Sequence, residues 1–250
     1  MTEQITAVAR AIAEADSTVA FTGAGVSTAS GIPDFRSEGG IWDQYDPSEF
    51  HYSKFKADPA AFWELRLDLY EEIFDDEIEP NEAHQALAAL EAAGHLETVI
   101  TQNVDGLHEA AGSSVVAIHG NGQRVACEDC GRTEPLDAAR QQIDGGRLPP
   151  ECSTCGGVLK PDTVLFGEQL PRIPLQRAKQ QARDADVLLT AGSSLTVEPA
   201  ASLPRIANRT GATLVIVNLE ETPVSDSAEF DIRGDVTEVL PAVSDTIERL

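Results

Sequence analysis

FTGAGVSTASGIPDFR, residues 21–36, follows the apolar pair Val19-Ala20 and sets Gly23 and Gly25 directly behind a short strand. A strand that runs into closely spaced glycines lets the backbone turn tightly and point bare N–H groups at a pyrophosphate, which is how dinucleotide-binding α/β folds begin. Two features separate the stretch from a dehydrogenase fingerprint. The third glycine of G-x-G-x-x-G is missing, and no acidic residue closes a second strand about 20 residues on to hold a ribose. The stretch ends instead in Pro33-Asp34-Phe35-Arg36, an ending that hydride transfer does not need.

Working outward, Ile5, Val8, Ala9 and Ile12 keep the i, i+3, i+4, i+7 spacing of an amphipathic helix ahead of the strand. Apolar runs at 98–101, 115–118, 186–190 and 213–217 predict further strands, apolar throughout as strands covered on both faces of a parallel sheet are. Helical patterns at 81–93, 171–184, 199–209 and 235–249 alternate with them, with Asn81 placed to cap and Gly94 to terminate. The alternation predicts a doubly wound, Rossmann-like α/β sheet. Two stretches interrupt it. Residues 37–80, aromatic and acidic, read as a helical module, and residues 124–160, rich in Cys, Gly and Pro, read as a small separate lobe.

The 250 residues carry 42 acidic and 18 basic side chains, a net charge of −24. Acids occur in nearly every segment, so most faces repel a phosphate backbone and no direct nucleic-acid partner is expected. Only four lysines occur, Lys54, Lys56, Lys160 and Lys179. Such an excess of acid over lysine is that of a halophile's solvated surface; capture of basic, lysine-bearing partners is the sharper reading of the same charge. No apolar run approaches the roughly 20 residues that span a bilayer, and Met1-Thr2-Glu3-Gln4 lacks a basic-then-apolar pattern. A soluble cytoplasmic protein with no membrane partner is the expectation.

All four cysteines fall as Cys127-x-x-Cys130 and Cys152-x-x-Cys155. Two such knuckles, with Gly131, Gly156 and Gly157 supplying tight turns, let four thiolates converge on one Zn²⁺. Ordinary buried or disulfide cysteines are the alternative, disfavoured in a cytoplasmic chain with every cysteine in a CxxC pair. Four sulfur ligands leave no open position, so the ion would be structural.

Polar clusters recur at the carboxyl ends of the predicted strands: Gln102-Asn103-Val104-Asp105 after 98–101, His119-Gly120-Asn121 after 115–118, Gly192-Ser193-Ser194 after 186–190 and Asn218 after 213–217. With the glycine loop they would line one crevice, where such sheets bind ligands.

Taken in order, GAGVSTASGIPDFR, TQNVDGLH, HGN, the two CxxC pairs, VLFGE at 164–168, GSSL at 192–195 and VNLE at 217–220 closely resemble the sirtuins, NAD-dependent protein lysine deacylases. The likeness runs from about residue 6 to about residue 246. It implies a Rossmann-like NAD-binding domain (1–36, 81–123 and 161–250), a mobile loop and helical module (37–80) and a zinc-binding lobe (124–160). NAD and an acetyl-lysine-bearing protein or peptide would enter the cleft from opposite sides. The oligomeric state stays open, with a monomer as the expectation.

The resemblance also implies roles. Gly23, Ala24, Gly25 and Ser27 would contact NAD phosphates and ribose, with Thr28 at the base of that loop, while Phe35 and Arg36 would shield the nicotinamide ribose and engage phosphate. Gln102, Asn103, Val104 and Asp105 would surround the nicotinamide and its ribose. Gly192, Ser193 and Ser194 would bind phosphate or ribose, Asn218 and Leu219 the adenosine end, and Val236 would pack near adenine. Val164, Leu165 and Phe166 would add an edge strand to the substrate peptide.

His119, with Asn103, is expected at the chemistry, because an imidazole titrates near neutrality and can take a proton from a ribose hydroxyl while nicotinamide leaves. A structural histidine is the competing reading of His119, and a surface salt bridge or N-cap that of Arg36 and Asp105. Trp42, Phe62 and Trp63 are expected to pack the helical module. Sirtuins that prefer acidic acyl chains carry Tyr-x-x-Arg in this helix; here Arg66 lacks the tyrosine three residues before it, so an uncharged acyl group is expected. Mono-ADP-ribosyl transfer is the alternative chemistry. A non-catalytic NAD-binding regulator would lack the histidine or the asparagine, and both are present.

Overall fold

The computed structural model describes residues 1–37, 39–73 and 78–250; residues 38 and 74–77 of the 37–80 excursion lie outside the described residues. Helix α1 (Thr2–Glu14) leads into β1 (Thr18–Thr22), and the excursion contains α2 (Ile41–Gln44), α3 (Tyr52–Ala57) and α4 (Pro59–Ile73). There follow α5 (Glu82–Ala92), β2 (Thr98–Thr101), α6 (Leu107–Ala110), β3 (Val115–Ala117), β4 (Gly120–Cys127), β5 (Thr133–Pro135), α7 (Leu136–Asp144) and β6 (Leu159–Thr163). The chain ends with α8 (Arg172–Asp184), β7 (Val187–Ala191), α9 (Ser202–Thr210), β8 (Thr213–Asn218), β9 (Phe230–Arg233) and α10 (Val236–Ile247).

Six strands form a wholly parallel sheet in the order β3-β2-β1-β7-β8-β9, the Rossmann order, whose direction reverses between β1 and β7. Its register places the site. Ala117, Thr101, Thr22, Ala191 and Val217 pair side by side across the sheet, so the loops beyond them leave the strands at one level. Helices α1, α5 and α10 cover one face through Val8, Ile12, Leu87 and Leu240; α8 and α9 cover the other through Ala178, Ala182 and Leu203. Asn81 caps α5 by accepting from the Ala83 and His84 N–H groups, and Gly94 at φ 81° ends its turn.

Strand β9 is not among the strands expected from sequence. Phe230-Asp231-Ile232-Arg233 buries only Ile232 fully, because an edge strand has one side open and needs no continuous apolar run. The cysteine-bearing segment makes a second sheet, antiparallel in the order β5-β4-β6. Its β4/β6 pair starts at Gly120↔Thr163, beside the large sheet, and runs out to Cys127↔Leu159. These two strands are therefore also the stem of the lobe. The helical module packs on it: Trp63 is fully buried and donates its Nε1–H to the Leu159 carbonyl at 2.8 Å, with Phe55, Phe62 and Tyr70 around it. Truncating such an indole to alanine costs about 3–5 kcal/mol.

Candidate active site

The glycine loop is shaped by a second loop as much as by any ligand. A Cβ on Gly25 would lie 2.9 Å from the Gly192 carbonyl oxygen, and one on Gly23 2.8 Å from the same atom. Gly25 N–H donates to that oxygen at 2.9 Å, and Gly23 N–H to Ala191 at 3.2 Å. The loops after β1 and β7 are thus backbone against backbone at the point where strand order reverses. The N–H groups of Ala24, Thr28 and Ser194 have no protein acceptor among the described residues. Unpaired amides on such a cradle are the donor set an anionic pyrophosphate fits.

The QNVD loop locks onto this pair. Gln102 Nε2 donates to Ser193 Oγ at 2.8 Å, Asn103 Nδ2 donates to Ser27 Oγ at 3.0 Å, and Ser27 Oγ donates to Asp105 Oδ2 at 2.8 Å. Asp105 also fills its alternative reading as a helix-start acceptor, since Oδ1 takes the Leu107 N–H at 2.9 Å. Burial pushes its carboxyl above the usual range, against the hydrogen bonds from Leu107, Ser27 and Asn103.

Beneath the loop lie two imidazoles whose role the sequence did not signal. His84 and His108 are 0% and 1% exposed, with ring centroids 4.7 Å apart. His84 Nε2 is 3.4 Å from Ser27 Oγ, and His108 Nε2 is 2.9 Å from Thr22 Oγ1, which donates to Thr101 Oγ1. Thr101 Oγ1 in turn accepts the Asn103 N–H. Burial lowers His84 to about 4; burial, with the neighbouring His84, lowers His108 to about 3. Both rings are neutral at physiological pH.

His119 leaves the carboxyl side of β3 half-buried, its Nδ1 3.0 Å from the Gln102 carbonyl oxygen. A carbonyl only accepts, so Nδ1 carries the proton and Nε2 keeps the lone pair; Nε2 has no protein partner among the described residues. Burial lowers the pKa below 6.5, the Gln102 bond opposing the shift. The ring thus keeps one nitrogen with a lone pair and no protein partner among the described residues.

In the PDFR ending, Asp34 Oδ1 accepts the Arg36 and Ser37 N–H groups, both at 2.8 Å, and Oδ2 accepts the Ser37 hydroxyl. Burial raises the Asp34 pKa, but these bonds and the Arg36 charge outweigh it and the net shift is downward. Arg36 is exposed; it acts on Asp34 through its charge, but no described carboxylate lies within 4.0 Å of its guanidinium. Phe35 meets Trp42 at 5.3 Å between centroids, and Trp42 meets Phe166 at 5.6 Å. Phe62, Trp63 and Trp42 all pack in the module as expected, Trp42 half-buried against the cluster of Ile41, Phe50 and Leu69 while also reaching Phe35 and Phe166.

Val164-Leu165-Phe166 follows β6 as a turn. Its three N–H groups are already committed, to the His119 carbonyl, Glu168 Oε2 and the Phe50 carbonyl. Tyr52 N–H and Glu168 N–H take the Phe166 and Leu165 carbonyls. The Val164 carbonyl alone is left without a partner among the described residues, so an added strand meets a single backbone acceptor here. At the sheet's far side Asn218 Nδ2 donates to the Glu220 carbonyl, Leu219 is 72% exposed and Val236 is buried at the start of α10.

In the lobe all four Sγ atoms lie within 4.8 Å of one another, with Cys127–Cys155 at 3.5 Å and Cys130–Cys152 at 3.8 Å. A tetrahedron of 2.3 Å Zn–S bonds has edges of about 3.8 Å. The thiol set fits zinc.

A Rossmann-ordered sheet with an amide cradle at its switch point, a half-buried histidine beside it and a four-thiol lobe on a two-strand stem fits the class of dinucleotide-dependent α/β enzymes. The chain belongs to the Sir2 family, whose pattern matches residues 23–199. It is 53% identical to an NAD-dependent protein deacetylase of Haloarcula marismortui, over 99% of this chain and 95% of that one. Against the enzyme of the same description from Sulfurisphaera tokodaii it is 46% identical, over 92% and 90%. Its fold superposes with a TM-score of 0.86, at 37% identity, on a Sir2 structure with a deacetylated p53 peptide and 3′-O-acetyl ADP-ribose, covering 96% of this chain and 97% of that one.

Proposed function

We infer that this chain is an NAD-dependent protein lysine deacetylase that moves the acetyl group from lysine to ADP-ribose and releases nicotinamide. The observation that carries the reading is the fixed tautomer of His119 next to the QNVD loop. Bound NAD supplies an anomeric carbon with a leaving group. The acetyl oxygen of the substrate would displace nicotinamide at that carbon. His119 Nε2 would take the proton of the ribose hydroxyl that then attacks the acyl carbon, and water would complete the transfer as the lysine amine leaves. Asn103, held by Ser27 and Thr101, would contact the nicotinamide and its ribose, and Asp105 and Gln102 would align the loop. Ala24, Gly25, Ser27, Thr28, Gly192, Ser193 and Ser194 hold the phosphates and riboses, Asn218, Leu219 and Val236 the adenosine, and Phe35 with Arg36 covers the nicotinamide side. The Val164 carbonyl reads the peptide backbone beside Leu165 and Phe166.

Labour divides between the NAD-binding domain (1–36, 81–123, 161–250), the covering loop and helical module (37–80) and the lobe (124–160). There Cys127, Cys130, Cys152 and Cys155 hold one structural zinc, which supplies rigidity and no reactive position. Arg66 supports an uncharged acyl group, because its guanidinium lies over the Tyr70 ring at 4.5 Å and donates to Tyr70 Oη at 3.3 Å. Work in a salt-rich cytoplasm, as a monomer, completes the proposal. No described helix is long and apolar enough to cross a membrane.

The test is incubation with an acetyl-lysine peptide and NAD labelled in its adenylate. Deacetylated peptide with label in acetyl-ADP-ribose is expected. Label retained on protein with intact acetyl-peptide would overturn the reading in favour of mono-ADP-ribosyl transfer.

A further inference from the structure

The turn at 164–167, on which the peptide site rests, is held from behind by an ion pair between buried Lys160 and half-buried Glu168. Lys160 is 7% exposed, and its Nζ donates to the carbonyls of Pro161 at 3.1 Å and Thr163 at 2.8 Å and to Glu168 Oε2 at 3.1 Å. An ammonium has three N–H donors, and all three are used. Glu168 Oε2 also accepts the Leu165 N–H at 2.7 Å, while Glu168 N–H donates to the Leu165 carbonyl at 3.0 Å. The pair therefore clamps the turn at both ends. On the other side, Val164 N–H is bonded to the His119 carbonyl at 2.9 Å and Phe166 is bonded to Phe50 and Tyr52. Tyr52 Oη donates to Glu128, between Cys127 and Cys130, at 2.5 Å.

Burying two charges forfeits hydration that their attraction only partly returns, so such a pair adds little stability beyond an apolar pair of equal volume. What it fixes here is direction. We propose that Lys160 and Glu168 are positioning residues for the acyl-lysine peptide: their ion pair holds the turn so that the Val164 carbonyl stays open to a peptide N–H at a set distance from His119. The inference rests on the deacetylase reading above.

Peptide and NAD are titrated separately against the whole chain. Glu168→Gln keeps an acceptor for Leu165 N–H but removes the countercharge, Glu168→Ala removes both, and Lys160→Arg keeps the charge. The Kd and KM of an acetyl-lysine peptide rise ~10-fold in Glu168→Ala, less in Glu168→Gln, and stay near wild type in Lys160→Arg, while NAD affinity and zinc content are unchanged. Equal weakening toward peptide and NAD, or loss of kcat at constant peptide KM, identifies a merely structural pair and overturns the proposal. If Glu168→Ala does not fold, Glu168→Gln decides by the same split. An active wild type with unchanged variants overturns the positioning role alone. A wild type that binds peptide without deacetylating it overturns the function, and peptide Kd still decides the positioning role; a wild type that binds no peptide overturns both.

Discussion

His119 Nδ1 donates to the Gln102 carbonyl oxygen across 3.0 Å, and that one bond determines which ring nitrogen can act as base. His119→Ala should fold and bind NAD yet release nicotinamide at least ~100-fold more slowly, on the scale of general-base catalysis. Stopped assays with isothermal titration of NAD check both halves; an unimpaired variant removes His119 from the mechanism.

The same environment sets the pH profile. Burial keeps His119 below 6.5, and only the neutral ring accepts a proton, so activity is present above that pKa and is lost as pH falls through it. The kcat/KM profile should therefore inflect below 6.5 on its acid side. An inflection above neutrality would point to another group.

Gly25→Ala should lower stability by about 1–3 kcal/mol, as overpacking does, because the new Cβ meets the Gly192 backbone, at 2.9 Å from its oxygen and 3.0 Å from its Cα, and no rotamer change relieves it. Separating the two loops also spoils the amide cradle. KM for NAD should rise while peptide Kd holds, which kinetics at varied co-substrate measures.

Acid should unfold the protein partly through His84 and His108. Their folded pKa values, about 4 and about 3, lie below the unfolded 6.5, so the unfolded chain binds more protons under pH 6.5. Stability therefore falls as pH drops from 6.5 toward those values, by up to about 1.4 kcal/mol per pH unit for each ring. Denaturant titrations of a His84→Gln, His108→Gln variant should show a shallower acid slope; an identical slope would remove the pair from the acid response.

Elemental analysis should return one zinc per chain. Chelation, or Cys130→Ser, should melt the lobe and with it the packing of Trp63 and Tyr52, because metal binding free energy in such a lobe is folding free energy. An active, metal-free preparation would refute the site.

Much of this molecule is readable from local pattern. Each apolar run and each i, i+3, i+4, i+7 stripe lies within one short window, and burial on both faces or on one stripe leaves few alternatives. The same holds for the CxxC spacing and for polar residues stationed just past the strands. By itself the sequence determined the alternating sheet, the glycine loop, the four-thiol set and the place of His119 just past β3.

Tertiary structure decided what depends on residues far apart in the chain. Gly25 must be glycine because Gly192 arrives against it. Trp42, packed in its own module, also joins two loops because Phe35 and Phe166 flank it. His84 and His108 support the site only because α5 and α6 bring them under Ser27 and Thr22, and β9 exists only because β8 offers it an edge. Lys160, one of four lysines, carries no local signal of burial in the sequence, and only the turn that closes over it, with Glu168, makes it a buried clamp. Periodicity encodes which face of an element is covered; it does not encode what covers it, and these contacts are of the second kind.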